Sequence, residues 1–520
     1  MLYLVPDWSA NNQLEYDPIM NYAWMLTQQH EPFRLLILQS IPQLRYLLHQ
    51  YDLTETPLVN MFDVIQQVTR TAGLPYNVDD LNWPADTQEV YTAQNVLQLK
   101  NDQIQAIASV GDSGQLSVVE HLVAGQAAKI ELFDDRGFKS NEKMVDTYGN
   151  ITEQRWYNDN GRLLYHVDEK GEVDVLAPKD PAAKTHYASL DDLLIDATLR
   201  RIDPEDRFIM SDSLNLKPIA QGLMKDHQVA LSVGQELTAD FLDFPILIAP
   251  SDAIKDRWIR FSKRQRMFAP ELNIAPISPY PAELSFGMSN DEAQMIIDWH
   301  VGDENSERVT EIAGYLANWL VNNEDWAILA DFDNWDKVHF VEDVLKGIAK
   351  SVFHIDPDSK EARQLQDFLE RQRLHRIYKA DMLMYAHLRT LPNWDQLNGY
   401  AQLFERFNWV VGPSQSDYVK NLHAARILLD LSAKTNLFLQ VEAISVGIPQ
   451  IVQHGNGYVV KQNGAIRESP ADLKPVLDRF LNHLNDWNIS LIANVRLTNE
   501  NLVEDQVAKL KEVWTYGDHH

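Results

Sequence analysis

The sequence predicts an α/β chain of two Rossmann-like lobes with an antiparallel β-meander domain inserted in the first lobe. Three observations predict it. Short apolar runs alternate with segments of helical period from residue 1 to about 115, and again from about 200 onward. Glycines recur in turn-like contexts at Gly137, Gly149, Gly161 and Gly171, with strand-like runs between them. A stretch holding four prolines, Asn273–Gly287, separates the two alternating regions. The expected boundaries are 1–115 and 200–285 for the first lobe, 116–199 for the meander and 286–520 for the second lobe.

The first lobe opens with strands at Leu2–Val5 and Arg34–Gln39. Between them Ile19, Tyr22, Ala23 and Leu26 mark Tyr16–Gln29 as a helix. Nucleotide-binding βαβ units place glycines after the first strand, so that backbone N–H groups reach a phosphate. Here Pro6, Asp7 and Trp8 stand in that loop and the first glycine is Gly73; Asp7 would repel an anion. Gly111-Asp112-Ser113-Gly114 resembles the nucleophile motif of trypsin-like proteases, but its α/β context makes it a polar turn.

The meander follows, with a repeat of about ten to twelve residues. Asn160-Gly161 is its strongest hairpin signal. Trp156, Tyr157 and Tyr165 are expected on its surface, either to bind a protein chain or a sugar or to pair across strands. Its open edges call for a partner. Proline and charge break the pattern at Ala177–Ala182. Strands then resume at Arg207–Met210, Gln228–Val233 and Phe244–Ala249, with Leu216–Lys225 as a helix.

In the second lobe Gln294–Val301 reads as a strand, Arg308–Leu320 as a helix and Trp326–Ala330 as a strand. Asp331-Phe332-Asp333 has a spacing that could hold Mg²⁺ or Mn²⁺. In a chain with 75 acidic residues it reads as a solvated acidic loop. His354, Asp356, His519 and His520 read as surface residues. Glu361–Tyr385 reads as one long amphipathic, basic helical region carrying Arg363, Arg371, Arg373, Arg376 and Lys379. Val410-Val411 belongs to the second sheet.

Ala425–Val460 is the most informative stretch. Ile427–Leu429 and Leu431 form a strand buried on both faces. Asn436 caps a helix carrying Phe438, Val441, Glu442 and Ser445, which Gly447 and Pro449 stop. Gln450–Val452 begins the next strand. Ala471–Leu484 and Asn501–Trp514 read as the closing helices.

Composition narrows the function classes. Net charge is −29 over 520 residues, which argues against nucleic acid and against direct docking on an anionic membrane. Without Cys there are no disulfides, thiolate nucleophiles or Cys-based zinc sites. The opening segment lacks a basic region, and no apolar run reaches the ~18 residues of a membrane span. The expected location is the cytoplasm.

On residues Glu442, Ala443, Gly447 and Pro449, followed by Gly457, Tyr458 and Val460, the second lobe resembles the nucleotide-sugar half of GT-B glycosyltransferases. Retaining members hold a second Glu eight positions before the first, and here that position is Lys434. Their first strand in this lobe ends in Gly-Arg, with a Lys soon after, and both cations hold the diphosphate. Here Gly302 is followed by Asp303 and Glu304, a repulsion of about 1–4 kcal/mol per contact. The resemblance therefore implies a GT-B-like scaffold with vestigial donor-pocket positions Glu442, Lys434, Asp303, Gly302 and Gly447. It implies no catalytic, cofactor-binding or metal-binding residue.

The overall layout resembles a narrower group, the glycosyltransferases that decorate serine-rich-repeat adhesins. It is closer still to their secretory relatives, the first family of accessory secretory proteins of the accessory Sec system. Leu4-Val5-Pro6-Asp7-Trp8, ISPYPAELSFGMSN and NLFLQVEAISVGIPQIV carry that likeness. It implies a non-catalytic component needed to export a glycosylated adhesin. Its partners would be the accessory SecA motor and two sister accessory secretory proteins, with peripheral membrane association through them. The alternative is an active retaining glycosyltransferase of unusual donor geometry, with Glu442 on the donor ribose.

Overall fold

Strands buried on both faces of a parallel sheet read as continuous apolar runs, and two such sheets form. The computed structural model describes residues 1–9, 14–111, 114–179, 184–265 and 272–515. The chain divides into two units, Met1–Pro250 with Trp258–Pro279 and Lys509–His520, and Ser251–Arg257 with Tyr280–Ala508.

The first unit holds a seven-stranded parallel sheet. Its order is Asn273–Pro276, Ile246–Ala249, Gln228–Ser232, Arg207–Ser211, Leu2–Val5, Phe33–Ile37, Leu58–Asn60. Numbered along the chain, the strands run outward in both directions from the first, which is the doubly wound Rossmann arrangement. Asp17 caps the helix Pro18–Gln28, which buries Ile19, Tyr22, Ala23 and Leu26 as their spacing predicts.

The same unit carries a ten-stranded antiparallel sheet in simple sequential order from Gln88–Tyr91 to His186–Tyr187. It begins well before residue 116, so 88–115 belongs to the sheet and not to α/β units. Asn101 and Asp102, at φ 52° and 61°, make the early hairpin turn between Asn95–Lys100 and Gln103–Val110. Asn-Asp does there what glycine does later. Asn160-Gly161 lies in the turn joining Ile151–Tyr157 to Leu163–Val167, as expected.

The meander aromatics are mostly buried and not on the surface as expected. Trp156 and Tyr165 sit opposite each other on neighbouring strands, which is the cross-strand pairing expected as the alternative to ligand binding. Trp156 and Tyr165 are 4% and 0% exposed and stack at 5.6 Å, and Phe62 lies 5.0 Å from Trp156. Polar bonds reinforce this attachment. The Asp159 carboxylate accepts from the Thr69 and Arg70 backbone N–H groups and from the Thr69 hydroxyl. Arg136 is held between Asp63 and Asp134, both at 2.7 Å.

In the second unit a six-stranded parallel sheet runs Phe407–Val411, Trp326–Phe332, Met295–His300, Ala425–Asp430, Gln450–Val452, Gly464–Ile466. In chain order that is 3-2-1-4-5-6. Ile297, Trp299, Ile328, Ala330, Ile427 and Leu429 pack with helices Ser306–Val321 and Val338–Ser351 into one core. The expected long basic helix is two helices, Lys360–Arg373 and Lys379–Leu388, broken at His375, whose φ is 53°. Gly111 and Gly114 close a turn, while Asp112 and Ser113 lie outside the described residues, as do His519 and His520. No helix among the described residues is long and apolar enough to cross a membrane.

Candidate functional site

In an open α/β sheet, ligands bind beyond the carboxyl ends of the strands where the strand order reverses. In the second unit that point falls between Met295–His300 and Ala425–Asp430. The register sets His300 opposite Asp331 on one side and Asp430 on the other. Alternation along the strand puts Asp298 on the same face as His300. Four ionisable side chains therefore meet at the strand ends because of pairing between distant segments.

His300 is 5% exposed, and its Nδ1 lies 2.5 Å from the Asp331 carboxylate. Tyr418 donates its hydroxyl to the same oxygen at 3.2 Å. Burial by itself opposes the charged ring. The Asp331 carboxylate, with Asp430 beyond it, outweighs that and holds the imidazolium up to about 10. Asp430 is fully buried. Its carboxylate accepts from the Ser432 N–H at 3.1 Å, the Ser432 hydroxyl at 2.5 Å and the Asn436 N–H at 2.8 Å. Burial raises Asp430 despite these bonds and the nearby His300. Asp298 is 0% exposed, and neither oxygen has a hydrogen-bond partner among the described residues. Burial first, then Asp331, raises it well above the carboxylate range.

The sequence-predicted positions separate into two groups. Gly302 joins the cluster at φ 54°, buried. A Cβ added there would meet Ser432 Cβ at 3.0 Å and His300 Nε2 at 3.2 Å. Lys337 donates to the Gly302 carbonyl at 2.7 Å. Asp303 is exposed, whereas Glu304 is buried and raised to about 7 by desolvation, with Asp303 and Asp430 adding to it against Arg308. Arg308 is bound to the Glu468 carbonyl and to Glu311. Thus the cations close to this loop already have internal partners.

Glu442, inside the helix Leu437–Val446, and Gly447, its C-cap, form the second group. Asn436 caps its start, accepting from the Leu439 N–H, and Gly447 ends it at φ 85°. Glu442 lies about 9 Å along the axis from that cap, at 1.5 Å per residue. It is half-buried and raised by desolvation, then by Glu283. Ser285 and Gly287 of the crossover stretch donate to the Ser445 and Val446 carbonyls, strapping that stretch along the helix end. Lys434 is exposed in the loop before the cap, and its carbonyl accepts from Ser432.

Asp331 overturns the reading of a solvated acidic loop. It is 0% exposed, inside the strand Trp326–Phe332 and bound to His300. Only its neighbour Asp333 faces solvent. His300, Asp298, Asp430 and Tyr418 are the residues that motif reading missed. The available signal was a charged or polar residue closing each apolar run, as in IIDWH, ILADF and ILLD. No group of three or more His, Asp or Glu among the described residues is arranged to hold a metal ion.

Residues 3–516 match the family model of the accessory Sec system protein known as accessory secretory protein 1. The chain is 24% identical to the accessory Sec system protein of that name from Streptococcus gordonii, over 99% of this chain and 98% of that protein. It is similar to a chain in the crystal structure of accessory secretory protein 1, 2 and 3 in Streptococcus pneumoniae. The TM-score there is 0.69 at 18% identity, covering 100% of both chains. It is also similar to the pneumococcal O-GlcNAc transferase GtfA solved with UDP and GlcNAc, with a TM-score of 0.68 at 11% identity, over 100% of this chain and 99% of that one. The fold is GT-B-like.

Proposed function

This chain belongs to the accessory secretory protein 1 family of the accessory Sec system, and we propose that it works there as a non-catalytic, GT-B-like component needed to export a glycosylated serine-rich-repeat adhesin. One observation carries the proposal. The strand ends where a diphosphate would need free cations hold a buried His300 imidazolium already engaged by Asp331 and flanked by Asp430. A donor phosphate would have to compete with carboxylates in a site of low dielectric. Glu442 lacks a second carboxylate at Lys434. Losing a transition-state donor typically costs about 2.7–4 kcal/mol, so several such losses leave little rate.

On this reading Glu442, Lys434, Asp303, Gly302 and Gly447 are vestiges of a donor pocket. The protein acts through its surfaces, with the two sister accessory secretory proteins, the accessory SecA motor and the adhesin as partners. The co-crystallised assembly of accessory secretory proteins 1, 2 and 3 supports the sister proteins as partners. Peripheral membrane association through those partners and a cytoplasmic location belong to the same proposal.

Calorimetric titration with UDP-GlcNAc and UDP-Glc, followed by a transfer assay on a serine-rich peptide, tests it. The expected result is no saturable heat and no transfer. Binding with turnover would make this an active retaining glycosyltransferase.

A further inference from the structure

The first unit contains a cavity of about 250 Å³ between the helix Leu190–Leu199, the helix Met61–Ile65 and the last strands of the antiparallel sheet. Its walls are apolar, supplied by Ile65, Tyr165, Val175 and Leu193. Tyr165 is fully buried, and its hydroxyl has no hydrogen-bond partner among the described residues.

The rim has the opposite character. Lys179, Lys184, Arg200 and Arg201 line it and are exposed. Among the described residues the one lining carboxylate, Asp196, already accepts from the Tyr187 hydroxyl at 2.7 Å and from Arg200 Nε at 3.0 Å. Lys179, Lys184 and Arg201 make no ion pair among the described residues. In a chain of net charge −29, four cations gathered at one apolar-walled cavity are a local reversal of sign. Apolar walls favour burial of an apolar body, and the rim favours a negative head that stays near solvent. The volume falls just below the range of about 300–1,000 Å³ usual for drug-sized ligands, which fits a small molecule.

We propose that this cavity binds a small amphipathic anion, an aromatic or short branched apolar body bearing a carboxylate, sulfate or phosphate. The site belongs to the first unit and does not use the strand-end cluster of the second.

The probe is 8-anilinonaphthalene-1-sulfonate, titrated into the full chain at pH 7 and low salt, with phenyl phosphate as competitor. Wild type should show one saturable fluorescence rise, reduced by phenyl phosphate. The double variant Lys184→Glu and Arg201→Glu should bind about tenfold more weakly, because both substitutions reverse an exposed rim charge. Ala197→Trp, which fills the cavity without changing charge, should abolish the signal. Absence of a saturable rise in wild type, failure of phenyl phosphate to compete, or a rise unchanged in the rim variant would each overturn the assignment. The rim variant decides the matter even if Ala197→Trp fails to fold, since exposed substitutions usually change stability by only about 0.5 kcal/mol.

Discussion

Replacing His300 with glutamine removes the cation facing Asp331 and Asp430 and keeps a polar side chain of similar reach. Its Nδ1 contact to Asp331 is 2.5 Å, and both residues are buried. Removing one member of a buried pair costs about 3–5 kcal/mol, because the surviving charge is left in low dielectric. A second route gives the same order. A histidine raised from 6.5 to about 10 contributes on the order of 5 kcal/mol at full protonation. The sign follows from the raised value. The contribution is complete below the unfolded value of 6.5 and is lost as pH rises through about 10. In urea, with a slope of about 3 kcal/mol/M for a unit of this size, the transition should move down by about 1–1.7 M. The assay is tryptophan fluorescence, since Trp299, Trp319 and Trp326 are buried in the second unit's core. Wild type should lose stability between pH 7 and 10, and His300→Gln should be flat over that window. A cost under about 1 kcal/mol, or a pH slope unchanged in the variant, would refute the charged-pair reasoning.

Other outcomes follow from single contacts. Glu304, raised to about 7 from 4.5, makes the folded state bind the proton more tightly, so its contribution grows as pH falls from about 7 to 4.5. Glu304→Gln should raise the urea midpoint at pH 8 and flatten that part of the profile. Gly447→Ala should lower stability by about 1–3 kcal/mol, since φ is 85° and the new Cβ would meet Leu491 Cδ1 at 2.5 Å. Trp156→Ala should cost about 3–5 kcal/mol in the first unit, which an exposed ligand-binding aromatic would not. Asp159→Ala should cost about 1–3 kcal/mol by leaving the Thr69 and Arg70 N–H groups without their acceptor, as read by thermal melting.

Local chemistry made much of the fold legible. Asn436 as cap, Gly447 as stop and the apolar strand before them appear where their residue types require. Most parallel strands of both sheets were readable because they are continuous apolar runs bounded by caps and turns. The short edge strands Leu58–Asn60 and Gly464–Ile466 were not, and Asn273–Pro276, read as part of the proline-rich crossover, is an edge strand of the first sheet. The first half of the meander was not. Its early turn uses Asn101-Asp102, and a search keyed to glycine passes over it. The break in the basic helical region was hidden for a related reason, since His375 takes a left-handed conformation that its sequence does not advertise. The cluster of Asp298, His300, Asp331 and Asp430 depends on the register of three strands far apart in sequence. No local motif joins them. Each carboxylate alone looked like one more acid in an acidic chain, and only burial distinguishes Asp331 from Asp333.

The central claim is that this chain supports export through its surfaces and not by sugar transfer. Glu442 is the one carboxylate remaining from the donor motif, and it faces Glu283, so Glu442→Ala relieves a repulsion and should fold normally. The direct measurement is adhesin export in cells lacking this chain and supplied with Glu442→Ala, at matched protein level. The account predicts export equal to wild type. Loss of export with the variant stable and still bound to its sister proteins would contradict it.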